Sequence, residues 1–230
     1  MKVTALVPAA GHGARVGANQ NKILLPLCGV PVIVWTLRAL EQSPSVENIV
    51  VIARSQDMTE MASLLQQHPL LKPVEWASGG PQRQDSVYNG LHQAKRLNEI
   101  AIVHDAARPL ATPELVERVC RAAMDVGGAT AAVAVTDTLT RSDENLHAVK
   151  TIPRENLWRI QTPQAFLTSS LLSAHNRARD QGFRTTDDAT IVQHYGGMVR
   201  IVPGEAWNIK VTEPSDFQLA EALLRPANRR

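Results

Sequence analysis

Short β-branched runs alternate along the chain with longer stretches in which apolar residues recur every three or four positions. Val3–Val7 and Val46–Ala53 predict strands, as do Pro73–Ala77, Ile100–His104 and Ala129–Thr136. Between them, helical spacing predicts helices at Pro31–Glu41, Asp57–Gln67, Gln82–Arg96 and Pro113–Val126. The last is the best marked, because Thr112 suits its cap, Pro113 its first turn and Gly127-Gly128 its end. The strand runs show little polar alternation, so both faces of the sheet are expected to be covered. Strand–helix–strand repetition then predicts right-handed crossovers and a three-layer, mostly parallel α/β fold.

After Thr136 this rhythm breaks. Asp137–Thr151 is polar and turn-rich, with Val149–Ile152 as a short strand, and it predicts a protruding β-arm before Gln161–Phe166 returns to the sheet. Helices at Ser169–Gln181 and Asp188–Tyr195 and strands at Met198–Val202 and Asn208–Val211 follow. A final helix is expected at Pro214–Leu224 with Thr212 as its cap, and Arg225–Arg230 reads as a frayed tail. No internal repeat appears, so a single domain over 1–230 is expected, with the arm at about 137–157.

Composition narrows the class of protein. With 44% hydrophobic and 20% charged residues in 230, a sizeable core is possible and global disorder is disfavoured. Lys and Arg total 24 against 22 Asp and Glu, a formal charge of +2, which argues against a broad nucleic-acid or membrane surface. The amino-terminal apolar run is too short for a signal peptide, and no stretch approaches the roughly 18 apolar residues of a membrane span. A cytoplasmic protein is the expectation. Cys28 and Cys120 have neither the number nor the spacing of a disulfide framework, and read as buried, reduced thiols. The histidines lack metal-ligand spacing, and no Ser/His/Asp constellation can be assigned.

Directly after the first strand comes Pro8-Ala9-Ala10-Gly11-His12-Gly13-Ala14-Arg15. Ligands of open α/β sheets bind beyond the carboxyl ends of strands, and small residues there let backbone N–H groups approach an anion. Val16 holds the place of the third glycine of a dinucleotide fingerprint, and no Gly-Lys-Ser/Thr follows for a Walker loop. A tight turn alone would explain many such loops, but Arg15 and Lys22 add two cations suited to phosphates.

Pro-Ala-Ala-Gly-x-Gly-x-Arg followed by a lysine resembles the signature loop of nucleotidyltransferases that activate sugar or polyol phosphates. Asn21 stands where that loop usually carries proline before the lysine. Further matches are Gly79–Val87, His104-Asp105-Ala106-Ala107-Arg108-Pro109, Asp137-Thr138, Leu157–Gln164 and Trp207-Asn208-Ile209-Lys210-Val211-Thr212. Together they are similar, in order and spacing, to the 2-C-methyl-D-erythritol 4-phosphate cytidylyltransferases. The resemblance implies transfer of a cytidylyl group from CTP to that polyol phosphate with Mg²⁺ or another divalent cation, in a homodimer whose arms share the active sites. Cytidylyl transfer to ribitol or glycerol phosphate, and non-catalytic nucleotide binding, are the rival readings.

The resemblance also distributes roles. Arg15, Lys22, Arg154 and Lys210 are the expected catalytic cations, the first two at the α-phosphate and the other two on the acceptor phosphate. Pro8, Ala9, Ala10, Gly11, Gly13, Gly80 and Ser86 would hold the nucleotide. Asp105, Arg108, Thr138, Thr162 and Thr186 would form the acceptor site, with Asp105 also a candidate for placing the metal. Ordinary explanations stand beside several of these. Asp105 suits a loop cap, Arg108 a structural pair with Asp105, Ser86 a helix start and Thr186-Asp187-Asp188 a helix amino terminus. Trp207 occupies a position that is often acidic in the resembling proteins.

Overall fold

In the computed structural model, residues 1–11 and 21–225 are described. Strand β1 (Val3–Pro8) leads to a short 3-10 turn (Lys22–Leu24) and a two-residue hairpin, β2 (Pro26–Leu27) and β3 (Val30–Pro31). Then come α1 (Val32–Glu41), β4 (Val46–Ala53), α2 (Ser55–Gln67), β5 (Val74–Ser78), α3 (Arg83–Gln93) and β6 (Ile100–Val103). Next are α4 (Pro113–Val126), β7 (Gly128–Ala134), and the arm strands β8 (Leu139–Ser142) and β9 (Ala148–Ile152). The chain continues through β10 (Trp158–Leu167), α5 (Thr168–Asp180), α6 (Asp188–His194), β11 (Arg200–Pro203) and α7 (Pro214–Leu224).

Seven strands form one sheet in the order β11-β7-β10-β6-β1-β4-β5. β10 runs antiparallel to both β6 and β7, and the other pairings are parallel. Successive side chains of β1 point to opposite faces: Val3, Ala5 and Val7 pack with α1, α2 and α4, and Leu6 with α3, α5 and α6. Burying each such Val, Leu or Ile contributes about 1.5–3 kcal/mol, so a strand covered on both sides reads as a continuous apolar run. Thr4 is the polar exception in β1, and its hydroxyl is satisfied by donating to Asn48 Oδ1 at 2.8 Å and accepting from Asn98 N–H at 2.9 Å. The arm pairs β8 with β9 apart from the main sheet, and its strands are almost wholly exposed.

Local signals held where they were strongest. Thr112 accepts from Leu115 N–H at 3.1 Å, and Gly127 closes α4 in the left-handed region at φ 98°. Other details differ. Asn208–Val211 forms no strand, because the buried Asn208 side chain donates to Thr162 O at 2.8 Å and Val211 N–H turns to Ala107 O at 2.8 Å. α3 ends at Gln93, short of Arg96, as Lys95 N–H is captured by Glu75 Oε2 at 2.7 Å. Glu213, not Thr212, occupies the cap of α7, while the Thr212 hydroxyl donates to Asp216 at 2.8 Å. Cys28 is exposed rather than buried, since it shares the tip of the β2–β3 turn with Gly29, both at positive φ. Cys120 is buried, and burial pushes its thiol pKa up. Most of the expected tail, from residue 226 onward, lies outside the described residues.

Candidate active site

The strand order reverses beside β1: β4 and β5 lie to one side, and β6 to the other. At the carboxyl ends of β1 and β6 this switch opens a cavity of about 440 Å³. Pro8, Ala9, Ala10 and Gly11 form the wall that continues β1. Lys22 enters from the following 3-10 turn, and Lys210 with Thr212 from the segment before α7. Gly80, Ser86 and Arg83 belong to the wall around the start of α3, and Asp105 to the loop after β6.

Lys22 stands on a turn anchored from beneath. Asn21, only 4% exposed, donates from Nδ2 to Ala9 O at 3.1 Å and to Asp57 Oδ2 at 3.0 Å. Asp57 is gripped by Arg54 at 2.9 and 3.0 Å. The Lys22 charge also reaches Asp216. Burial would raise that carboxyl, but hydrogen bonds from Thr212 and Glu213, with Lys22, hold it low.

Another part of the wall is the amino terminus of α3, where Gln82 and Asp85 form a capping box and Arg83 supplies a cation. Gly80 N–H donates to Ser86 Oγ at 3.0 Å, and the Ser86 hydroxyl donates to Gln82 O at 3.1 Å. A Cβ on Gly80 would stand 2.4 Å from Asp85 Cβ, so this fold-back of loop on helix admits only glycine.

Asp105 is the centre of the charged wall. Oδ1 accepts from Arg83 Nε at 3.0 Å, and Oδ2 accepts from Lys210 Nζ at 2.7 Å. Burial would raise its pKa, but the charges of Arg83 and Lys210 hold it far below the usual carboxylate range. Its N–H donates to Thr162 Oγ1 at 3.0 Å. Beneath it, burial pushes His104 down to about 4, so the ring is neutral at pH 7. The partners assign the tautomer: Nε2–H donates to Arg108 O, and Nδ1 accepts from the Thr162 hydroxyl, each at 3.1 Å.

Several expected acceptor-site residues do not line the cavity. Thr162 lies buried behind Asp105. Arg108 makes neither the expected pair with Asp105 nor an approach to the cavity, because its guanidinium donates to Asn208 O at 2.7 Å beneath the loop. Thr186 is exposed on the approach to α6, whose cap is Asp187. Thr138 and Arg154 belong to the arm region, where the Arg154 guanidinium donates to Thr136 O of its own chain. Gly13 and Arg15 fall outside the described residues. The sequence reading missed Asn21 as an anchor, and gave no role to Arg83 although it stands inside a quoted motif.

Among the described residues, no group of three or more His, Cys, Asp or Glu is placed to hold a metal ion. Asp105 is the carboxylate on the described cavity wall. Both its oxygens already accept from Arg83 and Lys210, so a magnesium ion would be held mainly by the polyphosphate and its waters, with Asp105 beside them.

The sequence profile of the 2-C-methyl-D-erythritol 4-phosphate cytidylyltransferases matches residues 3–226. This chain belongs to that family. The family's enzyme from Synechococcus elongatus is 43% identical over 221 residues, spanning 96% of this chain and 95% of its own. The one from Bacillus cereus is 41% identical, spanning 96% and 97%. The crystal structure of the Thermus thermophilus cytidylyltransferase superposes with a TM-score of 0.79 at 34% identity, covering 97% of this chain and 98% of that one. A 4-diphosphocytidyl-2C-methyl-D-erythritol synthase from Anaerococcus prevotii gives 0.85 at 25% identity over 97% and 98%. In this cytidylyltransferase Asn21 supports the lysine turn by side-chain bonds. Trp207, 49% exposed, lies outside the cavity and lines a separate hollow with Trp35 and Leu110, so its replacement of an acidic residue does not alter the described wall.

Proposed function

We propose that the chain transfers the cytidylyl group of CTP to 2-C-methyl-D-erythritol 4-phosphate, giving 4-diphosphocytidyl-2-C-methyl-D-erythritol and pyrophosphate for isoprenoid precursor synthesis. The observation that carries this reading is a cavity at the strand switch point whose wall combines Lys22, Lys210 and the start of α3. An acceptor phosphate oxygen attacks the α-phosphorus, and the bond from that phosphorus to the β-phosphate oxygen breaks. The acceptor is already a nucleophile, so catalysis is positioning and charge stabilisation. Arg15 and Lys22 steady the charge growing at the α-phosphate, and Lys210 works with Arg154 on the acceptor phosphate while also facing the phosphates of CTP. Gly80, Ser86 and the backbone of Pro8–Gly11, with Gly13, hold the nucleotide. Thr138, Asp105 and Thr186 contact the acceptor, while Thr162 and Arg108 support Asp105 from beneath. When bound, Mg²⁺ neutralises triphosphate charge, with Asp105 as the residue able to meet it. A reducing, cytoplasmic setting suits the free thiols Cys28 and Cys120.

The unit of function is a homodimer of single-domain chains, each lending its arm, about residues 137–157, to the other's cavity. Its support is the arm itself: Leu139, Val149, Trp158 and Ile160 expose apolar side chains on or beside it, while Arg154 and Thr138 do not line their own chain's cavity. Arg15→Ala and Arg154→Ala chains, each nearly inactive, should regain activity when co-refolded, because one site per mixed dimer keeps both arginines. No recovery despite demonstrated subunit exchange sinks the shared site. The activity is tested by CTP-dependent pyrophosphate release with methylerythritol phosphate present or omitted, and with ribitol and glycerol phosphates, UTP and ATP as controls. Equal release with another polyol phosphate or with UTP contradicts the assignment.

A further inference from the structure

Five titratable side chains on separate parts of the fold form one unbroken series that ends in the cavity. His175 on α5 meets Asp188 on α6, Nε2 to Oδ1 at 2.9 Å. The other Asp188 oxygen accepts from Arg83 Nη1 at 2.7 Å. Arg83 on α3 continues through Nε to Asp105, and Asp105 to Lys210, at 3.0 and 2.7 Å. Asp188 is 0% and His175 1% exposed, whereas the Lys210 side chain is 41% exposed. The series therefore runs from the interior between α5 and α6 through Arg83 and Asp105 on the cavity wall to Lys210, its most exposed member.

Resting on the functional reading above, we propose that Arg83 is a positioning residue for cytidylyl transfer, clamped by the Asp188–His175 pair, which fixes Asp105 and through it aims Lys210 at the bound phosphates. Lysine carries its charge on a flexible four-carbon stem, so an ammonium in an open cavity needs a fixed acceptor to hold one direction. Asp105 supplies that acceptor. Its carboxylate can rotate unless the second oxygen is also held, and Arg83 Nε holds it. Arg83 in turn is set by two carboxylates on two edges of a rigid, planar group.

Charge gives a second reason. A lone Asp105 would cancel Lys210 and leave little attraction for a phosphate. Arg83 shares the negative charge of Asp105, which releases part of the Lys210 charge toward the cavity. Burial works against the Arg83 charge, but Asp188 and Asp105 outweigh it and raise its pKa. Fold stability alone is a poor account of the series, because desolvating buried ion pairs commonly offsets their attraction.

The test is a double-mutant cycle between Asp188→Asn and Lys210→Gln, read on kcat/KM and, without acceptor, on CTP affinity by calorimetry. With Lys210 present, Asp188→Asn should lower kcat/KM tenfold or more and weaken CTP binding about threefold. With Gln at 210, the same change should cost less than twofold on both. Equal losses in the two backgrounds, on either readout, overturn the proposal. So does an Asp188→Asn protein that melts earlier but keeps wild-type kcat/KM while folded. Should Asp188→Asn fail to fold, His175 carries the same test: His175→Leu should lower kcat/KM as far, and His175→Gln, whose amide still donates to Asp188, should restore it to within threefold. A Gln variant as poor as the Leu variant counts against the clamp. Because CTP affinity needs no acceptor, a chain that used another polyol phosphate would fail the functional reading and still show the coupling.

Discussion

Replacing Asn21 by Ala removes an anchor whose side-chain bonds are to the protein itself and should slow the reaction. The side chain is buried and donates to Ala9 O at 3.1 Å and to Asp57 Oδ2 at 3.0 Å. A bond to a neutral carbonyl is worth about 1 kcal/mol, and one to a carboxylate about 1.5–3 kcal/mol. Asp57 keeps its two bonds from Arg54, so the lower end applies to that partner, and the loss comes to about 2.5 kcal/mol. At about 2–4 °C per kcal/mol for a domain of this size, Tm should fall by about 5–10 °C. Calorimetry of the two proteins at pH 7 measures it. Lys22 sits next in the chain, on the turn that Asn21 caps, so turnover at saturating CTP should also fall, by about tenfold, or about 1.4 kcal/mol of transition-state stabilisation. A fall in Tm below 2 °C would mean that solvent or a shifted backbone replaces these bonds. Unchanged turnover in a protein with the full stability loss would refute the idea that Asn21 places Lys22.

Lys22→Ala and Arg15→Ala should each lower kcat by about a hundredfold to a thousandfold while CTP affinity changes far less, since their charge acts on the transition state; near-normal turnover reassigns the residue. Gly80→Ala forces a Cβ to 2.4 Å from Asp85 Cβ, an overpacking cost of about 1–3 kcal/mol that should appear in calorimetric titrations as CTP binding weakened by about tenfold to a hundredfold. His104 is held neutral down to about pH 4 against an ordinary value of 6.5, so between those pH values the unfolded chain binds a proton that the folded chain does not. Stability should therefore fall as pH drops through that window, by about 3 kcal/mol, and urea titrations of wild type and His104→Gln should show the slope only where the histidine is present. Below it, protonation of Asp105 and Asp188, whose pKa values are lowered in the folded chain, continues the loss.

Elements with self-contained signals were legible in the sequence. Thr112, Pro113 and Gly127 mark both ends of α4 without reference to any other part of the chain. The arm was legible for the opposite reason, as a stretch whose polarity gives a sheet nothing to bury. Asn208–Val211 misled because β-branched composition resembles a strand, whereas its geometry is decided by one buried asparagine bonding to Gln161 and Thr162. The β2–β3 hairpin is too short for periodicity, and Cys28 at positive φ hid the turn that Gly29 alone signals weakly. Within the site, motif residues after β1 and β6 were found because the fold puts strand ends there. Arg83 and Asp188 were not joined, being 105 positions apart with nothing local in either segment to name the other.

Cytidylyl transfer asks the protein for charge at fixed points more than for reactive groups, and both lysines of the cavity trace back to neighbouring strands of the sheet. Asn21 ties the Lys22 turn to Ala9 O, immediately beyond the end of β1. Asp105 ties Lys210 to the loop that continues β6. β1 and β6 are adjacent and parallel, with Leu6 opposite Val103 and His104 N–H bonded to Leu6 O at 3.0 Å. Neighbouring strands lie about 4.8 Å apart and resist sliding, because a one-residue slip would turn every buried side chain to the wrong face. The positions of the Lys22 turn and of the Asp105 acceptor are thus set by strand pairing in the most deeply buried part of the sheet. Both anchors lie within two residues of a strand end, at Ala9 after β1 and Asp105 after β6, so the sheet limits how far either can move.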